Sequence, residues 1–517
     1  MLCFILFSQC RSDDESDWYL NEDRAFEWKD TIIADSPSKR YGLRWKTDDP
    51  YDAGERCFDA VGMQAHFGVG KTLGKSHFDK VYPWNQIRRC NVIRQDETTE
   101  VIYDDDPRFA VDGSNGDVFV RIPKFYVEKY CADGYEYRVV SGRGDHPHPA
   151  FVEDGFELDA VYVSAFEGYI GPDSLMYSIA GVIPTSNITA QQFLDAARRR
   201  GPQYSLYDMR TVDMLYTLAA VEFGCRNTSS VMGYGISHYR QPIEAAYDTD
   251  RFFYAKRNAY HSHSIATIRR PHNQIIQGSC ICICKGNQRN ILTFAHCTSI
   301  VDYVDETVYT FDGPPVDITT DCFIGNCAQQ TNWIETCRDP HFGASGRANM
   351  MERYFHPRER NPMRYRWMEN LIGNLWHFLP DVTLFNHQLY LCSSMSDYRI
   401  GCHDGSYEPF GNTLAVNLDN GDNDNDWTGV NHWVTSLIAD SLVQGVSFGE
   451  GSTTSINSSQ AFGAYYYVGD GLCVLVNGGG FDHRNRCNLL TTRAWDSPDV
   501  RWHLYGARLI FKDIPAQ

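Results

Sequence analysis

The chain has 517 residues, of which 43% are hydrophobic and 22% are charged, so it can bury a large core. Its formal net charge is −19 at pH 7, and a surface this acidic repels phosphate backbones, which argues against nucleic acid as a partner. No segment approaches the roughly 18 uninterrupted apolar residues of a membrane-spanning helix, so we expect no membrane span. Aromatic residues make up 14%, which favours β-structure and binding surfaces.

The amino terminus lacks the features of a convincing signal peptide. Its apolar run, Leu2–Phe7, is shorter than a normal signal-peptide core, and no Lys or Arg precedes it. Cys10 suggests a lipoprotein cysteine, but Gln9 stands where such sites have a small residue. We therefore expect synthesis in a reducing cytoplasm, which the scattered, unpatterned cysteines also favour. Residues 1–40 are predicted to be a flexible lead-in.

The first predicted structural region is rich in β-strands. Short apolar stretches broken by Gly, Asp and Pro predict this N-terminal β-rich region over residues 41–117. The next segment, Asp117–Tyr130, alternates in hydrophobicity, which predicts a strand pair or one bent strand with Pro123 at an edge or bulge.

Two amphipathic helices follow in the chain. Thr189 and Gln192 form a capping box, and Gly201-Pro202 ends the first helix. The second helix is predicted to begin near Asp208 and to end at Gly224. Because these helices lie among strand-like sequence, we predict an α+β fold.

Residues 261–340 predict a small β insertion. Its strands are expected at Ile275–Ile291 and Glu306–Val316. Residues 341–361 are polar and Arg-rich, as in a loop, and residues 385–517 are rich in turns.

Two clusters of potential ligands raise the question of a bound metal. One is the alternating set on a predicted strand, where three thiols share one face: Cys280, Cys282 and Cys284. We interpret it as a small-residue face in a reduced protein in preference to a thiolate metal site.

The other cluster is a loop of four aspartates: Asp419, Asp422, Asp424 and Asp426. Oxygen ligands at this density suit calcium, but Trp427 replaces the glycine of the EF-hand loop. We expect no cofactor, with calcium as the alternative.

Three C-terminal segments have recognisable local chemistry. They are Tyr365–Trp376, Val476–Phe481 and Gly506–Phe511. The first combines a Gly-Asn turn with a tryptophan that we expect to be buried. The second is a triple-glycine turn, where the backbone must approach a neighbour closely or take positive φ. The third is a terminal strand in which Arg508 is expected to pair inward.

The order Glu-Asn-x-x-Gly-Asn-x-Trp, Gly-Gly-x-Phe, Gly-x-Arg-Leu resembles the C-type lectin fold of the formylglycine-generating-enzyme type. Within it, the chain is most similar to retroelement-diversified variable proteins and phage tail tropism determinants. Upstream segments resemble the same group: Tyr82–Trp84, Ile122–Tyr126, His148–Phe151, Val163–Phe166 and Val221–Gly224. The resemblance implies a lectin-like domain over residues 118–260 and 341–517, interrupted by the β insertion.

The chain departs from this family at three points. Trp367 stands where such proteins usually have Gly, and Pro380 stands where they usually have Asp. The catalytic cysteine pair of the formylglycine-generating enzymes has no match that can be placed. The resemblance therefore concerns the scaffold, and we expect no enzymatic activity.

The resemblance implies a diversified ligand-binding segment near residues 481–505. This segment contains no Lys, Glu, Gln or Met, as adenine-directed mutagenesis of Asn codons would require, so Trp495 and Trp502 must be template-encoded. The expected ligand contacts are Asp482, His483, Arg484, Arg486, Arg493, Arg501, His503 and Tyr505. Phe481, Trp495 and Trp502 suit either scaffold or contact, whereas residues 477–480, Trp376 and Arg508 are expected to be structural.

The expected function is recognition of a cell-surface protein or glycan for host attachment. Phage tail proteins are further expected partners, a homotrimer is the expected assembly, and the virion tail or an extracellular surface is the expected location. Three alternatives stay open. They are a structural tail or baseplate component, a surface lipoprotein anchored through Cys10, and an oxidoreductase with a converging pair such as Cys473 and Cys487.

Overall fold

Strands dominate the structure, with 43% of residues in strands and 12% in helices. The computed structural model describes residues 36–514 apart from 50, 69–73, 96–97, 238–252, 270–274, 276, 333–361, 412–433, 440–446, 452–461, 482 and 484–485. The described residues belong to one unit, Asp35–Gln517. The predicted lead-in is described only from residue 36, and the first strand begins at Arg40.

The elements of the chain up to its longest helix are strands β1 (Arg40–Lys46), β2 (Glu55–Phe58), β3 (Ala65–His66), β4 (Lys75–Ser76), β5 (Arg88–Gln95), β6 (Thr98–Tyr103), β7 (Asp117–Pro123), β8 (Tyr126–Ala132), β9 (Tyr135–Ser141), β10 (Val152–Glu153), β11 (Phe156–Glu157), β12 (Ala160–Ser164), β13 (Tyr169–Ile170), β14 (Met176–Tyr177) and β15 (Tyr204–Leu206), with helix α1 (Ala190–Arg198) before β15. Helices α2 (Met209–Phe223) and α3 (Ser229–Met232) follow.

The remaining elements are all strands apart from short 3-10 turns. They are β16 (Ala259–Ser262), β17 (Ser264–Ile268), β18 (Cys280–Lys285), β19 (Asn287–Asp302), β20 (Glu306–Phe311), β21 (Val316–Ile318), β22 (Cys322–Asn326), β23 (Arg364–Tyr365), β24 (Met368–Glu369), β25 (Trp376–Phe385), β26 (Gln388–Cys392), β27 (Tyr407–Phe410), β28 (Val434–Ala439), β29 (Ser447–Gly451), β30 (Tyr466–Val468), β31 (Leu472–Asn477), β32 (Thr492–Asp496), β33 (Tyr505–Gly506) and β34 (Leu509–Phe511).

The predicted α+β fold class is wrong, because the structure is β-rich. Both predicted helices exist: Thr189 and Gln192 form the capping box of α1, and Asp208 caps α2, which ends at Gly224 with φ 69°. These two and the four-residue α3 are the α-helices among the described residues. The turn-rich sequence on either side of them instead folds into many short strands, some paired in local hairpins such as β8 with β9 and others with distant segments such as β12 with β34.

Four larger sheets organise the strands. A four-stranded sheet has the order β2-β1-β9-β8, and a six-stranded sheet has the order β15-β34-β12-β7-β5-β6. A five-stranded sheet, β17-β20-β19-β18-β22, is built within residues 264–326. A seven-stranded sheet has the order β27-β26-β25-β31-β32-β30, with β33 paired to β25. This last sheet carries the segment near residues 481–505.

The six-stranded sheet has the C-terminal strand β34 in its interior. Phe511 pairs with Tyr162 of β12 on one side and with Tyr204 of β15 on the other. Every residue of β12 and of β34 is buried, as expected for strands that are covered on both faces.

Helix α2 lies in the interior, with every residue from Met209 to Glu222 buried. The helix nevertheless carries three charged side chains, Arg210, Asp213 and Glu222. Buried charges are costly unless they are paired, so each must meet a partner from elsewhere in the chain.

At the N-terminal end of α2, a cluster of buried charged groups joins three distant segments. Lys512 Nζ donates to Glu153 at 2.7 Å and to Asp208 at 3.0 Å. Arg210 donates to Glu153 and to the Tyr398 hydroxyl, both at 2.9 Å. The N-terminus of the longest helix is thus held to β10, the Tyr398 loop and the end of β34.

Further along α2, Asp213 is surrounded by three donors. Arg138 Nη1 lies 3.1 Å from Asp213 Oδ1, Lys129 Nζ lies 2.5 Å from Oδ2, and His148 Nε2 lies 3.2 Å from Oδ2. The other ring nitrogen of His148 accepts from the Ala150 N–H at 3.2 Å, which fixes the neutral tautomer. Burial lowers the pKa of His148 to about 4 from its ordinary value of 6.5.

We expect His148 to make the protein less stable as the pH falls from about 6.5 to about 4. In this window the unfolded chain binds a proton at His148 that the folded protein does not, so one such group lowers the free energy of unfolding by about 1.4 kcal/mol per pH unit. The measurement is urea unfolding at several pH values. In His148→Gln, the amide reaches as far as Nε2 and can still donate to Asp213 but does not titrate, so its profile should be flatter by this amount. Parallel profiles would contradict the assignment.

Candidate functional site

The Glu-Asn-x-x-Gly-Asn-x-Trp segment is bound by one buried carboxylate, Glu167. The Glu167 carboxylate accepts from the side-chain amides of Asn370, at 3.1 Å, and Asn374, and from the backbone N–H of Leu375 at 3.3 Å. His377 Nε2 lies 3.2 Å from the same carboxylate. The side chains of Trp376 and His377 are fully buried, so this segment is part of the scaffold.

Arg508 closes the same segment from the C-terminal strand, as predicted. It is fully buried and donates to the carbonyl oxygens of Ser164, at 2.8 Å, of Asn370, at 3.2 Å, and of Glu369. A planar guanidinium with several donors suits this role, because it satisfies three carbonyls from two separate segments at once.

The triple-glycine turn behaves as the sequence predicts. Gly478 and Gly479 have φ values of 97° and 89°, in the region that favours glycine. A side chain on Gly480 would meet the Trp376 ring at 2.9 Å. The next backbone N–H, that of Phe481, donates to the Asn374 carbonyl at 3.0 Å. The start of the 481–505 segment is therefore fixed to the Glu167-bound motif.

The two departures from the family lie where the backbone is unusual. Trp367 has φ 72°, the left-handed conformation that glycine adopts at least cost. Its ring lies under the guanidinium groups of Arg89, at 4.5 Å, and Arg364, at 5.2 Å. Pro380 lies within β25 where the β25–β31 register shifts between Leu379 and Thr383, which is a position that tolerates a missing N–H donor.

Trp367 also lines a pocket of about 350 Å³ together with Trp84, Phe223 and Tyr365. Two of the charged groups on its wall are paired with each other, because Arg366 forms two hydrogen bonds to Glu222, at 2.8 and 2.6 Å. This pocket is a concave site of the size that small ligands use.

The described part of the 481–505 segment contributes to a set of rings and guanidinium groups that we name the C-terminal aromatic cluster. Its members are Tyr465, Tyr467, His483, Arg486, Arg493, Trp502 and His503. The parallel pairing of β30 with β32 places Tyr467 opposite Arg493. The sheet thereby fixes the centre of the cluster.

Tyr467 is the central ring of this cluster. Its hydroxyl accepts from Arg486 at 3.0 Å, and the Arg486 guanidinium lies 4.8 Å from the Tyr465 ring. The ring of His483 meets Tyr467 edge-on at 6.0 Å and Trp376 at 4.8 Å. Tyr467, His483 and Arg486 are partly exposed, so this half of the cluster reaches the surface.

Arg493 joins the other half of the cluster. Its guanidinium lies 5.5 Å from the Tyr467 ring and 5.1 Å from the Trp502 ring, and its Nε donates to Asp496 at 3.0 Å. Burial opposes its charge, but Tyr505 and Asp496 raise its pKa above the usual value. Arg493 is thus a permanent positive charge that binds two rings to each other.

The structure distributes the predicted contact residues over three environments. Five of them are partly or fully exposed: His483, Arg486, Arg493, Arg501 and His503. Tyr505 is buried, packs on Phe378 and donates its hydroxyl to Asp496. Asp482 and Arg484 lie outside the described residues, as do the calcium candidates Asp419, Asp422, Asp424 and Asp426. Trp495 is 42% exposed, which places it at the surface.

Tyr465 and Tyr467 belong to the cluster but precede the predicted segment. The available signal was the run of three tyrosines, residues 465–467, in a turn-rich region. The run lies outside the segment in which diversification was expected, so its proximity to Arg486 and Arg493 follows only from the pairing of β30 with β32.

The two cysteines named for the oxidoreductase alternative have separate partners. The Cys473 thiol donates to the Asp470 carbonyl at 3.4 Å, and the Cys487 thiol donates to the Gly480 carbonyl at 3.4 Å. Within the described ranges, no group of three or more His, Cys, Asp or Glu side chains is placed to hold a metal ion.

Comparison of the sequence with protein-family models and with characterised proteins finds no match to this chain. Among the helices of the described residues, none has both the length and the hydropathy to span a membrane.

We expect Gly479→Ala to destabilise the protein more than Gly471→Ala. Both residues have positive φ, 89° and 75°, which costs about 1 kcal/mol for a residue with a side chain. The added Cβ at Gly479 would lie 2.4 Å from Cys487 Sγ, whereas nothing lies within 4 Å at Gly471. The clash should add about 1–3 kcal/mol to the loss in unfolding free energy, measured in urea. If both variants lost the same unfolding free energy, the turn would have relieved the clash by moving, which would contradict this prediction.

Proposed function

We propose that the chain is a ligand-binding protein whose C-terminal aromatic cluster, with the adjoining loop near 481–505, contacts a cell-surface protein or glycan. The observation that carries this proposal is the mutual contact of tyrosine, tryptophan and histidine rings with two arginines at a partly exposed face. Rings and arginines dominate the binding energy of protein recognition sites because they combine large contact area with few rotatable bonds.

The support beneath the cluster favours binding without rearrangement. The Glu167 and Arg508 hydrogen bonds fix the Asn370–His377 segment, and Asn477 donates to the carbonyls of Leu489, at 2.8 Å, and Thr491, at 2.9 Å. A site whose backbone is fixed before binding loses little entropy when the ligand arrives. This arrangement suits a segment whose surface side chains differ between copies of the gene.

The charges of the site indicate the chemistry of its ligand. The chain as a whole carries a net charge of −19, yet the segment presents Arg486 and Arg501. Arginine forks match the geometry of carboxylates and phosphates. We therefore propose a surface protein or glycan with acidic groups, bound by a phage tail protein whose assembly into homotrimers adds avidity.

One prediction concerns variation in the gene. Deep sequencing of its 3′ end from one population should show changes at the codons of exposed residues such as His483, Arg486 and His503. The codons of the buried residues Asn488, Leu489 and Leu504 should stay constant, because these side chains hold the scaffold. Changes spread evenly over exposed and buried codons, or none at all, would remove the argument for a diversified segment.

A second prediction concerns binding. Fluorescently labelled protein should stain cells in a panel of bacterial isolates, and Arg486→Ala or Trp495→Ala should weaken staining about tenfold or more, as truncation of central contact residues does. Arg108→Ala is the matched control. Arg108 is also an exposed arginine, but it pairs with Glu100 and Asp106 and lies far in sequence from the 481–505 segment. If the variants stain as the wild type does, or no isolate is stained, a structural tail component becomes the better explanation.

A further inference from the structure

The five-stranded sheet places two cysteines side by side at the end of a strand pair. Strands β18 and β22 are antiparallel, and their last register pair is Ile281 with Asn326. The next residues outward are Cys280 and Cys327, and the Cys327 N–H donates to the Cys280 carbonyl at 3.2 Å. Neighbouring residues paired in this way have Cα atoms about 5.5 Å apart, within the range of a disulfide. The Cys327 thiol donates to the Cys280 sulfur.

The Cys280 sulfur also accepts from the Gln330 backbone N–H at 3.2 Å. The register of β18 with β19 places His296 directly opposite Cys280, and the imidazole and the thiol shift each other's pKa. Cys280 is fully buried, while Cys327 and His296 are partly exposed. The sulfur thus sits behind two groups that reach solvent.

Asp312 fixes the orientation of the imidazole. Its carboxylate accepts from the His296 backbone N–H at 2.7 Å, and its other oxygen lies 3.1 Å from Nδ1. A carboxylate on Nδ1 stabilises the imidazolium and leaves the other ring nitrogen to serve the sulfur. Cysteine, histidine and aspartate therefore stand in the order that activates a thiol.

The charges confirm that this thiol differs from its neighbours. Burial opposes ionisation of Cys280, but hydrogen bonds from Cys327 and His296 lower the pKa of its thiol to about 6. The hydrogen bond to Cys280 raises the pKa of His296 to about 9. In contrast, burial raises the pKa of Cys90 and of Cys297 to about 12. The two shifts have opposite signs, and both favour a thiolate at Cys280 beside an imidazolium at His296.

We propose that Cys280 and Cys327 form a peroxide-reactive dithiol, in which Cys280 is the attacking sulfur and Cys327 is the resolving sulfur. The oxidant is hydrogen peroxide or another small hydroperoxide, which can reach a sulfur that a bulky disulfide reagent cannot. Low thiol pKa and an adjacent resolving cysteine are the features of cysteines that oxidise selectively.

The reaction proceeds in two balanced steps. In the first, the Cys280 thiolate attacks one peroxide oxygen, the O–O bond breaks, and His296 gives its proton to the leaving hydroxide, so that Cys280 becomes a sulfenic acid and water is released. In the second, the Cys327 sulfur attacks the sulfenic sulfur, the S–O bond breaks, and the thiol proton leaves with the hydroxide as a second water. Two thiols lose two electrons in total, and one peroxide is reduced to two waters.

The disulfide would form directly after β22, where the chain leaves the five-stranded sheet and approaches the Glu369–Trp376 motif. Two and five residues after Cys327, the chain contacts that motif, because the Gln329 N–H donates to the Asn374 side chain at 2.9 Å and the Asn332 N–H donates to the Glu369 side chain at 2.6 Å. Oxidation would therefore cross-link β18 to the end of β22. The chain that follows β22 contacts the motif that supports the proposed ligand-binding segment.

The test treats the full-length protein with hydrogen peroxide at neutral pH and maps its cysteines by mass spectrometry without reduction. We expect a Cys280–Cys327 disulfide to appear before other cysteines are oxidised. In Cys327→Ser, we expect no disulfide and a sulfenic acid at Cys280, trapped by dimedone after denaturation. Cys282→Ser is the matched control, because Cys282 lies two residues along the same strand face and should leave the disulfide unchanged.

His296→Asn separates activation from simple proximity. The titratable groups that face Cys280 are His296 and Cys327, with Asp312 behind the imidazole and Cys282 and Cys284 beyond Cys327. The variant should slow disulfide formation at pH 7 about tenfold or more and raise the pH of its half-maximal rate, and Asp312→Asn should shift that pH in the same direction by less. The proposal would be overturned if Cys280 stayed reduced while other thiols were oxidised, or if His296→Asn left the pH profile unchanged. Circular dichroism confirms that each variant is folded.

Discussion

The structure depends on matching the charges of a helix that has no exposed face. Every residue of α2 from Met209 to Glu222 is buried, so Arg210, Asp213 and Glu222 each require a counter-charge in the interior. Arg210 pairs with Glu153 of β10, Asp213 pairs with Lys129 of β8 and Arg138 of β9, and Glu222 pairs with Arg366. Removing one partner would leave a charge in a medium that solvates it poorly. The sheets can thus assemble around α2 in only one arrangement, since another would separate these pairs.

The same principle operates on a smaller scale beneath the C-terminal surface. Glu167 and Arg508 are buried and of opposite charge, and they bind the two sides of one loop through its amides and carbonyls. The loop carries the Gly-Asn turn and Trp376, against which the triple-glycine turn packs. The hydrogen bonds of Glu167 and Arg508 to this loop are therefore made by groups that are not themselves at the surface. This separation allows the outer side chains of the segment to change while the backbone stays in place.

Features with a local cause could be predicted from the sequence, and features with a distant cause could not. The capping box at Thr189, the end of α2 at Gly224, positive φ in the triple-glycine turn and burial of Trp376 and Arg508 are confirmed. The fold class was wrong, because strand pairing between distant segments leaves no trace in a short window. Lys512 and Glu153 are 359 residues apart, and nothing in either neighbourhood indicates the other. The inward position of Tyr505 and the role of Tyr467 depend on such pairing too.

The place of β34 inside the six-stranded sheet has a consequence for how the protein is made. Phe511 and Lys512 supply the strand between β12 and β15 and a cation for α2, so neither is available until translation has passed both residues. The six-stranded sheet therefore cannot close until β34 itself has left the ribosome. A copy of the gene that acquires a stop codon or a frameshift between codons 481 and 505 produces a chain without this strand. Such a product lacks both the strand between β12 and β15 and the Lys512 cation, so we expect it to leave Asp208 and Glu153 without this partner and to fold poorly.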